Sequence, residues 1–362
     1  MHTATDYLRN TWYVAAWSHE ITADRLLPRT ITRVPLVFWR DRMGKVVALE
    51  DRCCHRAAPL SKGRREGEGI RCMYHGLLFD TSGRCIEIPS QEFIPPAAKV
   101  RAIPVVERFK WVWVWMGDPA SADASLIPDT HYLDDGGWRG KPGYLHYEAN
   151  YLLITDNLLD FSHLSYVHET TLGGSPKYAE IRPTITRGER SVRVERWLLD
   201  DAPAPFVGKL KTWRGNVDRW NIYEVVLPGV LLMDSGSAPT GTGAPQGRRD
   251  DAAQFFGCQA VTPETERTSH YFFQQSHGFA LNDPGVTDRL TASVLEGFME
   301  DKDIILAQQR VLDLNPGAPM LGMRMDVALE SFRSMLGKAI ARERSETVCV
   351  GALEHNELSQ KL

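Results

Sequence analysis

Two cysteine–histidine pairs stand close together in the first quarter of the chain. Cys53-Cys54-His55 is followed after sixteen residues by Cys72-Met73-Tyr74-His75, a C-x-H…C-x2-H arrangement. Each pair puts a thiolate and an imidazole on one short loop, and two such loops can close on a metal centre. A Cys2His2 set suits one tetrahedral Zn2+. It equally suits a Rieske [2Fe–2S] cluster, in which one iron takes two Cys and the other two His. Spacing alone fits either. Cys54 and Cys85 are expected to have no ligand role, and Cys258 and Cys349 stand alone in the sequence.

A second constellation lies further along. Asn157, Asp160 and His163 are three apart, so on a helix running Asn150–His163 they share one face. His168 is five residues past His163, about 140° around if the helix continued. The chain must bend or leave the helix for both imidazoles to meet one ion. A non-haem Fe(II) centre of two His and one carboxylate keeps positions open for O2 and substrate. The carboxylate is found on a long amphipathic helix predicted over Asp288–Leu312. With Val294 at zero and 100° per residue, Phe298 falls at about 40°, Ile305 at about 20° and Leu312 at about 0°. Asp301 falls at about 340°, inside that apolar stripe, whereas Glu300 (about 240°) and Asp303 (about 180°) turn to the polar side. Gln308, at about 320°, is expected to share the interior with Asp301. A carboxylate facing a core needs a partner, and a metal or an internal ion pair would supply one.

The elements that must position these residues divide by composition. Short runs rich in Val, Ile, Trp and Tyr (Trp12–Ala16, Pro35–Trp39, Val46–Glu50, Ile70–Tyr74, Leu77–Asp80, Trp111–Met116) make the first third all-β. Gly117–Pro142, rich in Asp, Ala, Pro and Gly, reads as a boundary. Beyond it, strands are predicted at Tyr144–Tyr147, Ser191–Leu198, Trp220–Val226, Gln254–Thr262 and Ser269–Gln275. Ser235–Arg249 reads as a Gly/Pro/Thr-rich surface loop, and a second helix is predicted near Asp326–Arg342. The expected organisation is α+β: an all-β domain at 1–120, an antiparallel-sheet-and-helix catalytic domain at 143–345, and a polar tail at 346–362 that is a candidate for disorder. No internal repeat stands out.

Composition narrows the functional classes. The 362 residues are 43% apolar and 24% charged, ordinary for a globular chain. Lys and Arg number 42 against 46 Asp and Glu, which leaves no basic excess for nucleic acid. No apolar run approaches the roughly 20 residues of a bilayer span, and the N-terminus has no basic start followed by an apolar core. A cytoplasmic protein, bound to neither membrane nor nucleic acid, is expected.

The whole pattern except the last residues resembles the terminal oxygenase components of Rieske non-haem iron oxygenases, in the branch of vanillate and dicamba O-demethylases and toluenesulfonate methyl-monooxygenase. The residues that carry the likeness are Asn10–Trp17 (NTWYVAAW), Asn157–His163 (NLLDFSH) and Met233–Pro245 (MDSGSAPTGTGAP). Gly76–Gly83 (GLLFDTSG) is similar to the second Rieske loop running into its strand. The resemblance implies Cys53, His55, Cys72 and His75 as cluster ligands and His163, His168 and Asp301 as ligands of a mononuclear Fe(II). It implies Asp160 as a carboxylate bridging a cluster histidine to an iron histidine across subunits of a head-to-tail homotrimer, and Asn157 as a residue near the iron. Electrons from NAD(P)H would arrive through a separate flavin/iron–sulfur reductase, O2 would be co-substrate, and a methyl group of a small aromatic compound would be hydroxylated, an aromatic acid being the family's expectation. Ring dihydroxylation, or electron carriage without oxygenase chemistry, are the competing functions.

Overall fold

A computed structural model describes the main chain of residues 7–359 and the side chains of residues 7–346. Two compact units emerge: Asn10–Ile127 with Thr262–Thr265, and Met1–Arg9 with Pro128–Val261 and Glu266–Leu362. No helix among the described residues is long and apolar enough to cross a membrane.

The first unit is built of short antiparallel strands. β1 (Trp12–Trp17) pairs with β10 (Trp111–Trp115), which pairs with β9 (Val105–Arg108); β2 (Leu27–Ile31), β3 (Val34–Arg40) and β4 (Val46–Glu50) form a second sheet; β5 (Arg64–Glu66), β6 (Gly69–Arg71), β7 (Leu78–Phe79) and β8 (Cys85–Glu87) form a third. Trp and Val alternate along Trp111–Trp115, so the strand lays them on opposite faces. Val112 and Val114 enter a core with Tyr13, Phe38 and Ala48. The indoles of Trp111 and Trp113 meet edge to face at 5.6 Å. The run predicted at Ile70–Tyr74 pairs only as far as Arg71, because the chain turns away at Cys72.

The second unit is a seven-stranded antiparallel sheet carrying helices. In spatial order the strands are β11 (Gly143–Tyr147), β17 (Ser269–His277), β16 (Ala253–Pro263), β15 (Val230–Pro239), β14 (Val217–Val226), β13 (Ser191–Asp201) and β12 (Thr184–Arg187). The helices are α1 (Tyr151–Leu159), the single turns α2 (Lys177–Glu180) and α3 (Pro205–Gly208), α4 (Pro284–Leu314) and α5 (Val327–Ser359). Alternate residues of the strands (Val192, Val194, Tyr223, Val225, Phe255, Tyr271, Phe273) pack with Leu153, Leu158, Val294, Phe298, Ile305 and Phe332 of the helices in one core. That alternation is what a sheet covered on one face requires. The expected tail, apart from residue 346, and Cys349 lie outside the residues whose side chains are described.

Three expectations are corrected. Ser235–Pro239, read as surface loop, is the second half of β15, and Ser235, Gly236, Ser237 and Ala238 are buried. The small residues belong to an interior strand: a Cβ on Gly236 would lie 2.3 Å from the Trp220 ring. The first helix ends at Leu159 rather than His163, since Asp160 adopts extended dihedrals (φ −125°, ψ 97°). Asp160 then caps a separate 3-10 turn, Phe161–Ser165, so Asn157, Asp160 and His163 do not share a helical face. On α4 the interior glutamine is Gln309, while Gln308 is exposed. The buried stripe drifts along a helix this long, passing from Leu290 and Val294 to Phe298, Ile305 and Gln309.

Candidate metal centres

The two cysteine loops are copies of one hydrogen-bond pattern. Cys53 N–H donates to the Ala58 carbonyl and its own carbonyl accepts from Ala57 N–H, both at 2.9 Å. Cys72 N–H donates to the Leu77 carbonyl (2.8 Å) and its carbonyl accepts from Gly76 N–H (2.9 Å). Ala57 and Gly76 occupy the same place in each loop, and both have positive φ (+55° and +78°). The loops turn their cysteines inward, where Cys53 and Cys72 pack with Leu60, Ile70 and Phe79. They leave both histidines exposed, with ring centroids 4.5 Å apart. Arg71 Nη1 donates to the Gly76 carbonyl at 2.6 Å and so ties the second loop to the ion pairs Arg71 makes with Glu66 and Glu87.

Burial pushes the Cys53 thiol up to about 11, with the neighbouring Cys72 adding to the effect. Such thiols ionise where a cation sits beside them, so two buried cysteines on loops whose imidazoles meet edge to face fit a metal cluster. Desolvation, with the charges of His55 and Arg56, holds His75 below the usual histidine range. Cys54 is exposed, Cys85 is buried with its thiol donating to the Glu87 carbonyl (3.3 Å), and Cys258 is buried in the second unit.

In the second unit the structure brings His163, His168 and Asp301 together, with one ligand atom of each within 4.8 Å of the others. Asp301 Oδ1 lies 3.3 Å from His163 Nε2 and 3.1 Å from His168 Nε2. Asn157 Nδ2 donates to the same oxygen at 2.9 Å, which gives that residue a role its position in the sequence left open. His163 Nδ1 donates to the main-chain carbonyl of Asp160 (2.6 Å), while the Asp160 carboxylate accepts from Ser162 N–H. With Nδ1 occupied as a donor, the Nε2 lone pair is left for a metal.

His168 is fully buried, and its Nδ1 donates to Glu300 Oε2 at 2.6 Å. Thr171 Oγ1 donates to that same oxygen at 2.7 Å. Glu300 is therefore the residue that orients His168, a role the helical wheel hid by turning it toward solvent. The sequence signal was its adjacency to Asp301: the loop after His163 folds back on α4, and His168 meets both carboxylates at once. Asp303 is exposed. Burial works against the charge on Asp301, yet His163 and His168 hold its carboxyl well below the usual carboxylate range. Burial likewise lowers His168, but Asp301 and Glu300 outweigh it and the net shift is upward. A buried carboxylate with the Nε2 atoms of two imidazoles turned toward it is a donor set that fits a divalent iron, which would take the place of any proton on those nitrogens.

The triad opens on a cavity of about 90 Å3. Phe161, Leu164, Leu172, Phe206, Phe255 and Phe298 are part of its apolar wall.

Residues 11–103 match the Rieske [2Fe-2S] domain, and residues 147–342 match the vanillate O-demethylase oxygenase C-terminal domain. The chain belongs to the Rieske non-haem iron oxygenases. This oxygenase is 47% identical over 345 residues to the iron-sulfur subunit of a toluene-4-sulfonate monooxygenase system from Comamonas testosteroni, covering 94% of its own length and 99% of the relative's. It is 35% identical to the oxygenase component of dicamba O-demethylase from Stenotrophomonas maltophilia, over 84% of its length and 88% of that protein's. The crystal structure of dicamba monooxygenase bound to dicamba superposes with a TM-score of 0.85 at 32% identity, covering 94% of this chain and 99% of that one. The oxygenase is thus one component of a multicomponent monooxygenase that works with a separate reductase, and its cofactors are a Rieske [2Fe–2S] cluster and a mononuclear non-haem iron.

Proposed function

We propose that the oxygenase hydroxylates a methyl group carried by a small aromatic compound, on the ring or through a heteroatom. Cys53, His55, Cys72 and His75 hold the cluster, and His163, His168 and Asp301 hold the iron. The observation that carries this reading is the meeting of that triad at an apolar, aromatic-lined cavity, where a ring can be held dry beside the metal ligands. When bound, the metal groups supply activation of O2 and the electrons for it, one at a time, from the NAD(P)H-dependent reductase.

The chain's own residues do the rest. Phe161, Phe255 and Phe298 offer faces and edges against which a ring packs. Asn157 and Glu300 fix the ligand side chains in the orientations described above. The net change is R–CH3 + O2 + 2e− + 2H+ → R–CH2OH + H2O. Where R ends in an ether oxygen, the product hemiacetal collapses to the phenol and formaldehyde.

In this reading the cluster domain spans 1–120 and the catalytic domain 143–345, and the enzyme works as a cytoplasmic homotrimer. Asp160, with a carboxylate oxygen beyond the one capping Ser162, is the bridge between a cluster histidine of one subunit and His163 of the next. Absorption and EPR spectra with metal analysis test the sites: a reduced-state Rieske signal and about three irons per chain are expected. Turnover under 18O2 tests the chemistry. A benzylic alcohol or formaldehyde carrying one labelled oxygen supports the proposal, and a ring cis-diol overturns it. Asp160→Asn should keep all the iron yet nearly abolish coupled turnover; normal turnover would remove Asp160 from the electron route.

A further inference from the structure

One charged side chain lines the cavity without belonging to the metal site. Arg219 lies on β14 and is 6% exposed. Its Nη2 donates to the Gly173 carbonyl at 2.8 Å, and Gly173 N–H in turn donates to the His168 carbonyl at 3.0 Å. The guanidinium therefore sits against the same loop that carries an iron ligand. Its Nη1 has no hydrogen-bond partner among the described residues. Arg196, the other buried arginine of this unit, shows the contrast. Both its terminal nitrogens are used, on the Tyr178 carbonyl and Ser162 Oγ, and its guanidinium lies 4.7 Å from the Tyr178 ring.

The surroundings of Arg219 are rich in donors and poor in anions. Across the sheet it pairs in register with Ser237, and two residues on Asn221 pairs with Ser235; all four line the cavity. Asn221 Oδ1 is already taken by the Tyr178 hydroxyl (3.0 Å) and its Nδ2 donates to Met233 Sδ at 3.9 Å, which leaves one amide N–H for a ligand. Asp301 is the one carboxylate among the described lining residues, and it is committed to His163, His168 and Asn157. Asp201 acts on the guanidinium electrostatically, without an ion pair between them, and binds Lys177 at 3.3 Å. Burial pulls the affinity of Arg219 for its proton down, so the charge is held at a cost in an apolar setting. An unpaired cation beside a substrate cavity is what an anionic ligand would complete.

We infer that Arg219 is the anion-recognition residue of this oxygenase, binding the carboxylate or sulfonate of an aryl acid whose methyl group is presented to the iron ligands. The inference rests on the proposed function for the place of the methyl group, and on the cavity alone for the anion. What it adds is the side chain: recognition of an acid group is assigned to Arg219 on β14.

The test is equilibrium binding to the holoenzyme, without reductant, of two matched pairs: 4-methylbenzenesulfonate against 4-methylbenzenesulfonamide, and 4-methylbenzoate against 4-methylbenzamide. In the wild type at least one anion should bind tenfold or more tightly than its uncharged amide, and which acid gains more distinguishes sulfonate from carboxylate. Arg219→Met should weaken that anion at least tenfold and leave the amides within twofold, with Arg219→Lys recovering part of the loss. Iron content and the Rieske spectrum should not change.

A wild type that binds neither acid, or acid and amide alike, overturns the inference. So does an Arg219→Met protein that loses acid and amide equally, which would make the guanidinium a structural partner of Asp201 and Gly173. Should Arg219→Met fail to fold, the wild-type preference and Arg219→Lys decide. Acid binding through Arg219 with no methyl oxidation would overturn the proposed function and keep the anion site. Equal oxidation of acids and amides would do the reverse.

Discussion

The two metal centres are built by different means. At the cluster loops the main chain does the positioning: the same two hydrogen bonds close each loop, a positive φ finishes it, and Cys and His follow from their offsets within it. All four proposed cluster ligands lie within residues 53–75. At the triad, side chains position side chains. Asp301 reaches His168 across 133 positions of sequence, and Asn157, Glu300, Thr171 and the Asp160 carbonyl each fix one atom. A backbone-made site is robust to changes outside its loop. A side-chain-made site depends on every outlying hydrogen bond, so its second layer should be nearly as sensitive as its first.

The largest break in that comparison comes from Asp301. Asp301→Ala removes the carboxylate on which both histidines and Asn157 converge, while nothing in the cluster loops changes. Iron should fall from about three to about two per chain with the cluster's colour kept. Turnover should fall by about a thousandfold or more, the scale of a lost metal contribution of several kcal/mol. Retained mononuclear iron would shift the ligand role to Glu300 or Asp303. Next in size is Glu300→Gln, which keeps an acceptor for His168 Nδ1 but removes its charge. Fe(II) titration of the cluster-loaded protein should show affinity reduced roughly 10–100-fold, and Thr171→Val a smaller loss in the same direction. An unchanged Fe(II) affinity in both would mean that packing alone orients His168.

This difference in construction also governs what could be read from sequence. The pairing of the two Cys–His loops was legible because spacing within a loop is spacing in space. Asp301 was legible because a carboxylate inside an apolar stripe contradicts its surroundings, and a helical wheel exposes the contradiction. Glu300 was not, since the same wheel ignores the loop that returns over α4 and brings His168 against it. The strand holding Ser235 and Ser237 was missed for a related reason. Its Ser, Gly and Ala residues look like a loop until the Trp220 ring fills the space at Gly236 and the serines turn to the cavity. The unpaired state of Arg219 needed the structure, because it depends on which neighbours fail to reach it.

Within the cluster centre the pseudo-equivalent loops sharpen the comparison further. A Cβ at Gly76 would combine φ +78° with an approach of 2.7 Å to the Pro89 ring. Gly76→Ala should cost about 1–3 kcal/mol and lower the cluster content of the purified protein. Without that loss, the loop would be soft enough to move the main chain.

The smallest effect is expected at the matching position, Ala57. Its side chain is exposed, so its methyl fills no core, yet its φ of +55° is one that a Cβ disfavours. Ala57→Gly removes strain of about 1 kcal/mol in the folded state. It also frees the unfolded chain, which takes back about 0.4–1 kcal/mol. The net should be a melting temperature that is unchanged or slightly raised, with the Rieske spectrum intact. The sign relative to Gly76→Ala is the informative part: opposite or null effects at two equivalent positions show that the main-chain turn sets the ligand geometry. A loss of more than about 1 kcal/mol on Ala57→Gly would show instead that the first loop depends on its side chains, as the triad does.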